Sequence, residues 1–341
     1  MRSTWMPRRG VWTVLTAITA FLALAQLMTG SSGNGPAALW GMLGDDVARQ
    51  IVVELRAPRV LVALAAGACL GIAGCILQAL LRNPLAAPEI TGIGSGAVLG
   101  AVTATLLGGF SATPHGMIGT AIAGGVLGGG VLWVVAARAG SDPLRLSVIG
   151  VLISAVLSGI TLILLTARPQ STGTMAQWLI GSLNGRGWAH WHALWPWLVL
   201  VLVAGLLIAP VLGLLSVDDD HARGVGLEPP RWRSAALLLA VVAAAAAIAT
   251  VGALSFVGLL APHAGRLVFG ADHRRAIPGS ALIGAATVCA ADTVAQQLTT
   301  LAAAGERPLG IPTGAVTAIV GAVVLIRAAR RLSTLTSGGQ S

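Results

Sequence analysis

The chain contains no lysine: every one of its 21 basic residues is arginine. A phosphate-binding Gly-Lys-Ser/Thr loop cannot be built without that side chain, so this chain hydrolyses no nucleotide by that route. Charge is scarce too. Charged residues make up 10% of the sequence against 55% hydrophobic ones, and the mean hydropathy is +0.85. That balance excludes an ordinary soluble domain and points to a chain that crosses a bilayer many times. Cysteine is limited to Cys69, Cys75 and Cys289, all inside apolar runs and none with metal-ligand spacing. They read as small buried packing residues, not as a disulfide or a metal site.

What is present is a series of apolar runs of about 20 residues, the length a membrane helix needs. Spans are expected near 11–29, 60–81, 92–108, 117–137, 146–166, 191–213, 234–251, 254–270, 277–297 and 312–328. The boundary between the seventh and eighth is the least defined. Arg2, Arg8 and Arg9 followed by an apolar run imitate a signal peptide, with Ala23-Leu24-Ala25 as a cleavage site. A first membrane helix is the simpler reading, because the run is long enough to span and nine further apolar segments follow.

The net charge of +9 does not indicate nucleic acid, because the arginines lie in short loops between apolar runs. With the N-terminus inside, fifteen arginines fall on inner segments and six (Arg49, Arg56, Arg59, Arg168, Arg186 and Arg307) on outer ones. That is a positive-inside bias, and it puts both termini in the cytoplasm. Trp178, Trp188, Trp191, Trp195 and Trp197 cluster around the outer loop before the sixth span, where an interfacial belt belongs. Most of the 45 glycines fall within spans and read as close helix contacts.

Three polar interruptions stand out. The longest, within 214–233, carries Asp218, Asp219, Asp220, His221, Ala222, Arg223, Gly224 and Gly226 before Pro229-Pro230. Ser216 can cap a short helix there whose first turn is acidic, with Gly224 or Gly226 ending it. Such a helix suits docking to a partner, with a solvated loop as the plain alternative. A metal site from the aspartates and His221 is disfavoured, since consecutive helical residues point in different directions. The second interruption, Arg82-Asn83-Pro84-Leu85, reads as a tight turn ending the second span. In the third, Gly252 to Arg275, Pro262 is expected to kink or break the helix. His263 could be a proton carrier, a ligand or a hydrogen-bonding strut; with no second histidine or carboxylate in register, the strut is favoured.

Only Asp292 lies well inside a span, with Glu89 near the end of one. Carriers driven by protons or sodium keep carboxylates deep in the membrane. One acid is thin for a proton relay, so gating by an external motor fits better than a secondary carrier. A membrane enzyme or scaffold is weaker still, for want of a nucleophile–base pair or metal cluster.

Together these segments resemble the FecCD-type permeases, the membrane subunits of bacterial ABC importers for iron–siderophores, haem and vitamin B12. The likeness covers nearly the whole chain. Its strongest block is Ala66 to Ala97, with Gln78, Arg82, Asn83, Pro84, Leu85, Ala86, Pro88, Gly92 and Gly96. A second runs from Val251 to Arg275 and includes Pro262, His263 and Arg266. Arg56-Ala57-Pro58-Arg59, Trp178 to Leu183 and Ala222 to Gly226 also fit.

The resemblance implies an all-α integral membrane protein of about ten transmembrane helices, a single permease domain with the type II importer fold, in a bacterial inner membrane. It implies that 218–227 is the segment that couples to two cytoplasmic ATPases, which would hold the ATP and Mg. This chain would bind no cofactor. It further implies a second permease subunit and an extracytoplasmic substrate-binding protein met by Arg56 and Arg59. The family's arginine after Asp-x-x-Ala is replaced by Gln296, so Arg307 is the candidate replacement for that docking charge. Gly321-Ala322-Val323-Val324 lacks the family's usual Pro-Phe pair, which leans toward a partner of different sequence, a heterodimer. The expected cargo is a ferric siderophore, with cobalamin or haem as alternatives.

Overall fold

The computed structural model describes residues 8–30, 41, 44–139, 143–166, 177–217, 219–302 and 310–337. Low charge and long apolar runs leave the backbone no solvent to bond with inside a bilayer, so it folds into helices that satisfy their own amides. The main ones are α1 (Arg8–Met28), α2 (Asp46–Gln50), α3 (Ala57–Leu80), α4 (Ile93–Leu107), α5 (Pro114–Ala139) and α6 (Pro143–Thr166). After these come α7 (Trp188–Val217), α8 (Asp219–Gly224), α9 (Pro229–Val251), α10 (Val257–Phe269), α11 (His273–Ala302) and α12 (Thr313–Ser337). Among the described residues, seven helices are long and apolar enough to cross a membrane and three shorter apolar ones, α4, α10 and the start of α12, accompany them. These ten coincide with the ten expected spans. α7 and α11 run several residues further at both ends than the apolar windows suggest, because helix geometry tolerates the polar residues there.

The bundle is apolar on its outside as well as in its core. α3 is buried along almost its whole length and forms the axis, packed against α11, α9 and α7. Large apolar side chains such as Phe21, Leu152, Val156, Ile163 and Leu207 face outward on α1, α6 and α7, as lipid requires. Between α3 and α11 the backbones touch: a Cβ on Gly71 would stand 2.7 Å from the Ser280 carbonyl carbon, and one on Gly67 2.7 Å from that of Gly284. Apolar side chains gain little by leaving lipid, so contact this close carries the association through dispersion.

α4 and α10 have 15 and 13 residues, about 22 and 20 Å at 1.5 Å per residue. Both are shorter than the ~30 Å hydrocarbon thickness. Their non-helical flanks therefore lie within the membrane depth, and the chain accounts for their amides. Gly92 N–H donates to Ser154 Oγ at 3.0 Å and Ser154 Oγ to the Glu89 carbonyl at 3.0 Å. Ser182 N–H donates to Val251 O, Ala253 N–H to Trp178 O and Gly314 N–H to Gly181 O. The uncertain boundary between the seventh and eighth spans is settled by Gly252 (φ 79°) and Phe256 (φ 66°). The break falls there and not at Pro262, which sits inside a continuous α10. The Gly258 carbonyl, four residues before Pro262 and deprived of its helical donor, lies against Gly74 of α3.

Candidate functional site

Two polar clusters lie at opposite ends of the bundle. At the first, the segment after α7 forms α8, whose Ala222 is buried while Asp220, His221, Arg223 and Gly224 are exposed. Asp219 turns inward. Its Oδ1 accepts from Arg82 Nη2 at 2.6 Å and Arg233 Nη2 at 2.7 Å. The same arginines cap two helix C-termini: both donate to the Leu215 carbonyl of α7, and Arg233 Nη1 reaches the Leu80 carbonyl of α3 at 2.6 Å. Cations at those carbonyls also oppose the negative ends of the helix dipoles. Partial burial works against the Asp219 charge, but the two guanidiniums outweigh it and hold its carboxyl below the usual value.

The expected Ser216 cap does not form. Ser216 Oγ donates to the Gly213 carbonyl at 2.8 Å, because α7 continues through Val217 and the hydroxyl stays on its own helix. Asp218 lies outside the described residues. Asp220 and Arg223 pair with each other at 2.7 Å on the exposed face. The turn closes through Gly226, at φ 83°, and Leu227 N–H to the Ala222 carbonyl. Beside α8, Val217, Val225 and Leu85 are more than half exposed.

The Arg82-Asn83-Pro84-Leu85 turn is built as its residues suggest. Asn83 Oδ1 accepts from Leu85 N–H at 2.9 Å, and its Nδ2 donates to Ser147 Oγ of α6 at 2.7 Å. Arg82 takes a left-handed φ of 47°, which aims its guanidinium at Asp219. Gln78 ties α3 to α10 by donating to the Leu259 carbonyl at 3.2 Å. His263 does not act as the expected strut. α10 buries Val257, Gly258, Ala261, Pro262, Gly265 and Phe269, so His263 falls on its exposed face, with no hydrogen bond to any described residue. Arg266 lies in the last turn of the same helix. A cavity of about 160 Å³ separates the breaks before α4 and α10, lined by Glu89, Ser95, Ser158, Thr161 and Ser255 among others.

At the opposite end Asp292 is fully buried in α11. Its carboxylate accepts five hydrogen bonds: two at 2.8 Å from Arg59 of α3, and one each from Gln26 of α1 (2.7 Å), Thr313 of α12 (2.7 Å) and Gln296 (2.9 Å). Arg59 Nη2 also donates to Asn184 Oδ1 at 3.0 Å. The network ties four helices to the 182–187 loop. Gln296, noted in the sequence for the charge it lacks, is thus a donor to the buried acid.

Arg56 and Arg59, expected to face outward, are engaged within the bundle. Arg56 is 8% exposed and donates to the Leu27 carbonyl at 3.2 Å, with Gly30 leaving room for its guanidinium. A π-helical stretch, Ile51–Arg56, leads directly into α3 and swings both arginines toward α1 and α11. Arg307 lies outside the described residues. Sequence reasoning missed Gln26, Asn184, Arg233 and Thr313 as partners, since 14 to 266 positions separate the bonded pairs. Among the described residues no three His, Cys, Asp or Glu side chains gather closely enough to hold a metal ion.

The missing Pro-Phe pair also has a local structural counterpart. Gly321 of α12 lies directly against the Phe256 ring, and a Cβ there would meet it at under 3 Å. Phe256 of the α10 break therefore occupies the space beside α12 at that position.

Comparison with known proteins places this geometry. The model of the FecCD transport family matches residues 18–331. The chain is 36% identical over 318 residues to the ferric enterobactin transport system permease protein FepG of Escherichia coli (strain K12), covering 93% of this chain and 90% of that protein. It is 36% identical over 278 residues to the cobalamin import system permease protein BtuC of Halobacterium salinarum (strain ATCC 700922 / JCM 11081 / NRC-1), covering 81% and 72%. Among solved structures, a metal-chelate type ABC transporter in an inward-facing conformation superposes with a TM-score of 0.79 at 26% identity, over 93% of this chain and 97% of that one. With a family match over nearly its full length, the chain belongs to the FecCD transport family.

Proposed function

We propose that this chain is the transmembrane permease subunit of an ATP-driven importer of ferric siderophores. The observation that carries the proposal is the family match over residues 18–331, supported by relatives named for ferric enterobactin and Fe(3+) dicitrate. The lysine-free sequence leaves ATP hydrolysis to a separate chain. In this reading both termini and α8 face the cytoplasm, and two ATPases dock on the exposed side of α8, formed by Asp220, Arg223 and Gly224, with Val225 beside it. The pairing of Asp219 with Arg82 and Arg233 would pass a movement of α8 into α3, α7 and α9. A second permease chain, of different sequence, completes the translocation path. A substrate-binding protein docks at the other end, around Arg56, Arg59 and Arg307. There an acidic partner would compete with Asp292 for Arg59.

A proton-driven carrier is disfavoured by the Asp292 environment. Five donors already occupy its oxygens, so a proton would have to displace them.

The test is uptake of labelled ferric siderophores, haem and cobalamin by a strain deleted for the gene, with complementation. Loss and rescue of one ferric siderophore supports the proposal. Loss of cobalamin or haem keeps the architecture and replaces the cargo. In the purified complex, Asp219→Ala and Arg223→Ala should leave the chain in the membrane and ATP hydrolysis running while transport falls. Normal transport in both variants would refute the coupling role of α8.

A further inference from the structure

Arg186 has no place in the function described so far. It sits in the 182–187 loop, at the end of the bundle opposite α8, and that loop is pinned. Ser182 N–H is bonded to Val251 O, Leu183 N–H to Thr313 Oγ1 at 3.4 Å, and Asn184 both accepts from Arg59 and donates to the Gly310 carbonyl. The guanidinium lies over the Trp178 indole, 4.7 Å from the ring centroid, with Nη1 3.1 Å from His190 Nε2. Among the described residues its buried Nε finds no acceptor and no carboxylate pairs with it.

His190 cannot fully satisfy its neighbours. Gly187 N–H also points at the ring, at Nδ1, 3.3 Å away. A neutral imidazole accepts at one nitrogen only, so the arginine and the amide compete for it. The amides in the first turn of α7, a 30-residue helix beginning at Trp188, add positive potential at the same corner. A desolvated cation without a counter-charge is costly. Burial pushes Arg186 down to about 10, which still leaves it charged at neutral pH. Held over an indole face, a guanidinium still offers its planar fork of donors to an anion, a geometry lysine cannot offer.

We propose that the corner formed by Arg186, Trp178 and His190 is an anion-binding subsite that takes a negatively charged oxygen, such as a carboxylate, at the rim of the ferric chelate. This inference rests on the permease reading above. The indole shelf and the pinned loop fix the cation in place, so the subsite favours anionic chelates over neutral ones.

Sodium citrate is the probe. The melting temperature of the purified full-length chain in detergent micelles is followed against citrate concentration, with ionic strength held constant by sodium chloride. The wild type should show a saturable rise. Arg186→Gln should move the half-effect to about tenfold or more higher citrate, as expected for loss of a charge-assisted bidentate contact. Arg186→Lys, which keeps charge but loses the planar fork, should fall between. No saturable rise in the wild type, or an equal response in Arg186→Gln, overturns the subsite. If Arg186→Gln does not fold, an unchanged half-effect in Arg186→Lys overturns it. A parallel series replaces citrate with phosphatidylglycerol in the micelle. An Arg186-dependent rise with that lipid and none with citrate would make the ligand a headgroup phosphate and overturn the chelate assignment. Uptake by the deletion strain is read separately. A strain that imports a ferric siderophore through a citrate-blind chain refutes the subsite alone. Citrate binding by a chain with no uptake phenotype refutes the permease reading alone.

Discussion

Replacing Asp292 with asparagine should be among the most damaging near-isosteric changes available to this chain. The side chain is fully buried and Arg59, its ion-pair partner at 2.8 Å, is 19% exposed. Three of the five bonds, from Gln26, Arg59 Nε and Gln296, converge on Oδ2. An amide NH₂ at that position faces donors, and the opposite amide orientation moves the clash to Arg59 Nη2 and Thr313. Breaking a buried ion pair by removing one partner costs about 3–5 kcal/mol, because the other charge stays buried and uncompensated. Water reaches part of Arg59, so the lower end, about 3 kcal/mol, is expected for Asp292→Asn. Arg59→Gln leaves the carboxylate with its three neutral donors and should cost less. Combining them removes both charges, so the double variant should be less destabilised than the sum, with a coupling of about 2 kcal/mol. The assay is reversible unfolding in mixed micelles for the wild type, both single variants and the double variant. If the two costs add within about 0.5 kcal/mol, the pair is not energetically coupled and the reasoning fails.

Three further outcomes follow from the geometry. Asp219 has its carboxyl held below its ordinary value of 3.8, so its contribution to stability is present above that value and lost as pH falls through the lower, folded one. The stability difference between the wild type and Asp219→Asn should therefore be about 1 kcal/mol or less at pH 7, given its solvent exposure, and should shrink as pH falls below 3.8; a difference that grows in acid would contradict the ion-pair account. Gly71→Ala places a methyl against the Ser280 backbone and should cost about 1–3 kcal/mol as α3 and α11 are forced apart; an unchanged melting temperature in detergent would show that the helices yield freely. Asn83→Ala removes bonds to Leu85 N–H and Ser147, and should cost about 1–2 kcal/mol while loosening the 82–87 turn; amide exchange at Leu85 should rise.

How much was legible in advance depends on whether a feature is local. The Asn83–Pro84 turn and the short α8 were readable, because capping, turn and proline preferences act over a few residues. Ser216 misled because its hydroxyl had two local options, a cap or a bond back to its own helix, and the continuation of α7 chose the second. His263 misled because its exposure depends on which face of α10 meets α3, α11 and α12. Arg59 and Asp292 were each visible as unusual, an arginine at a span's mouth and an acid inside one. Their union across 233 positions was not.

By itself the sequence determined that the chain is a many-helix membrane protein without a Gly-Lys-Ser/Thr phosphate loop, since apolar length and the absence of lysine act residue by residue. It also carried the ordered motifs of its family. Only the tertiary structure decided which charges are spent inside the bundle and which remain available. A buried charge in a low-dielectric interior must find its partner wherever packing brings one. Packing gave Arg59 to Asp292 and Arg82 and Arg233 to Asp219, and left Arg186 on its tryptophan shelf with donors to spare.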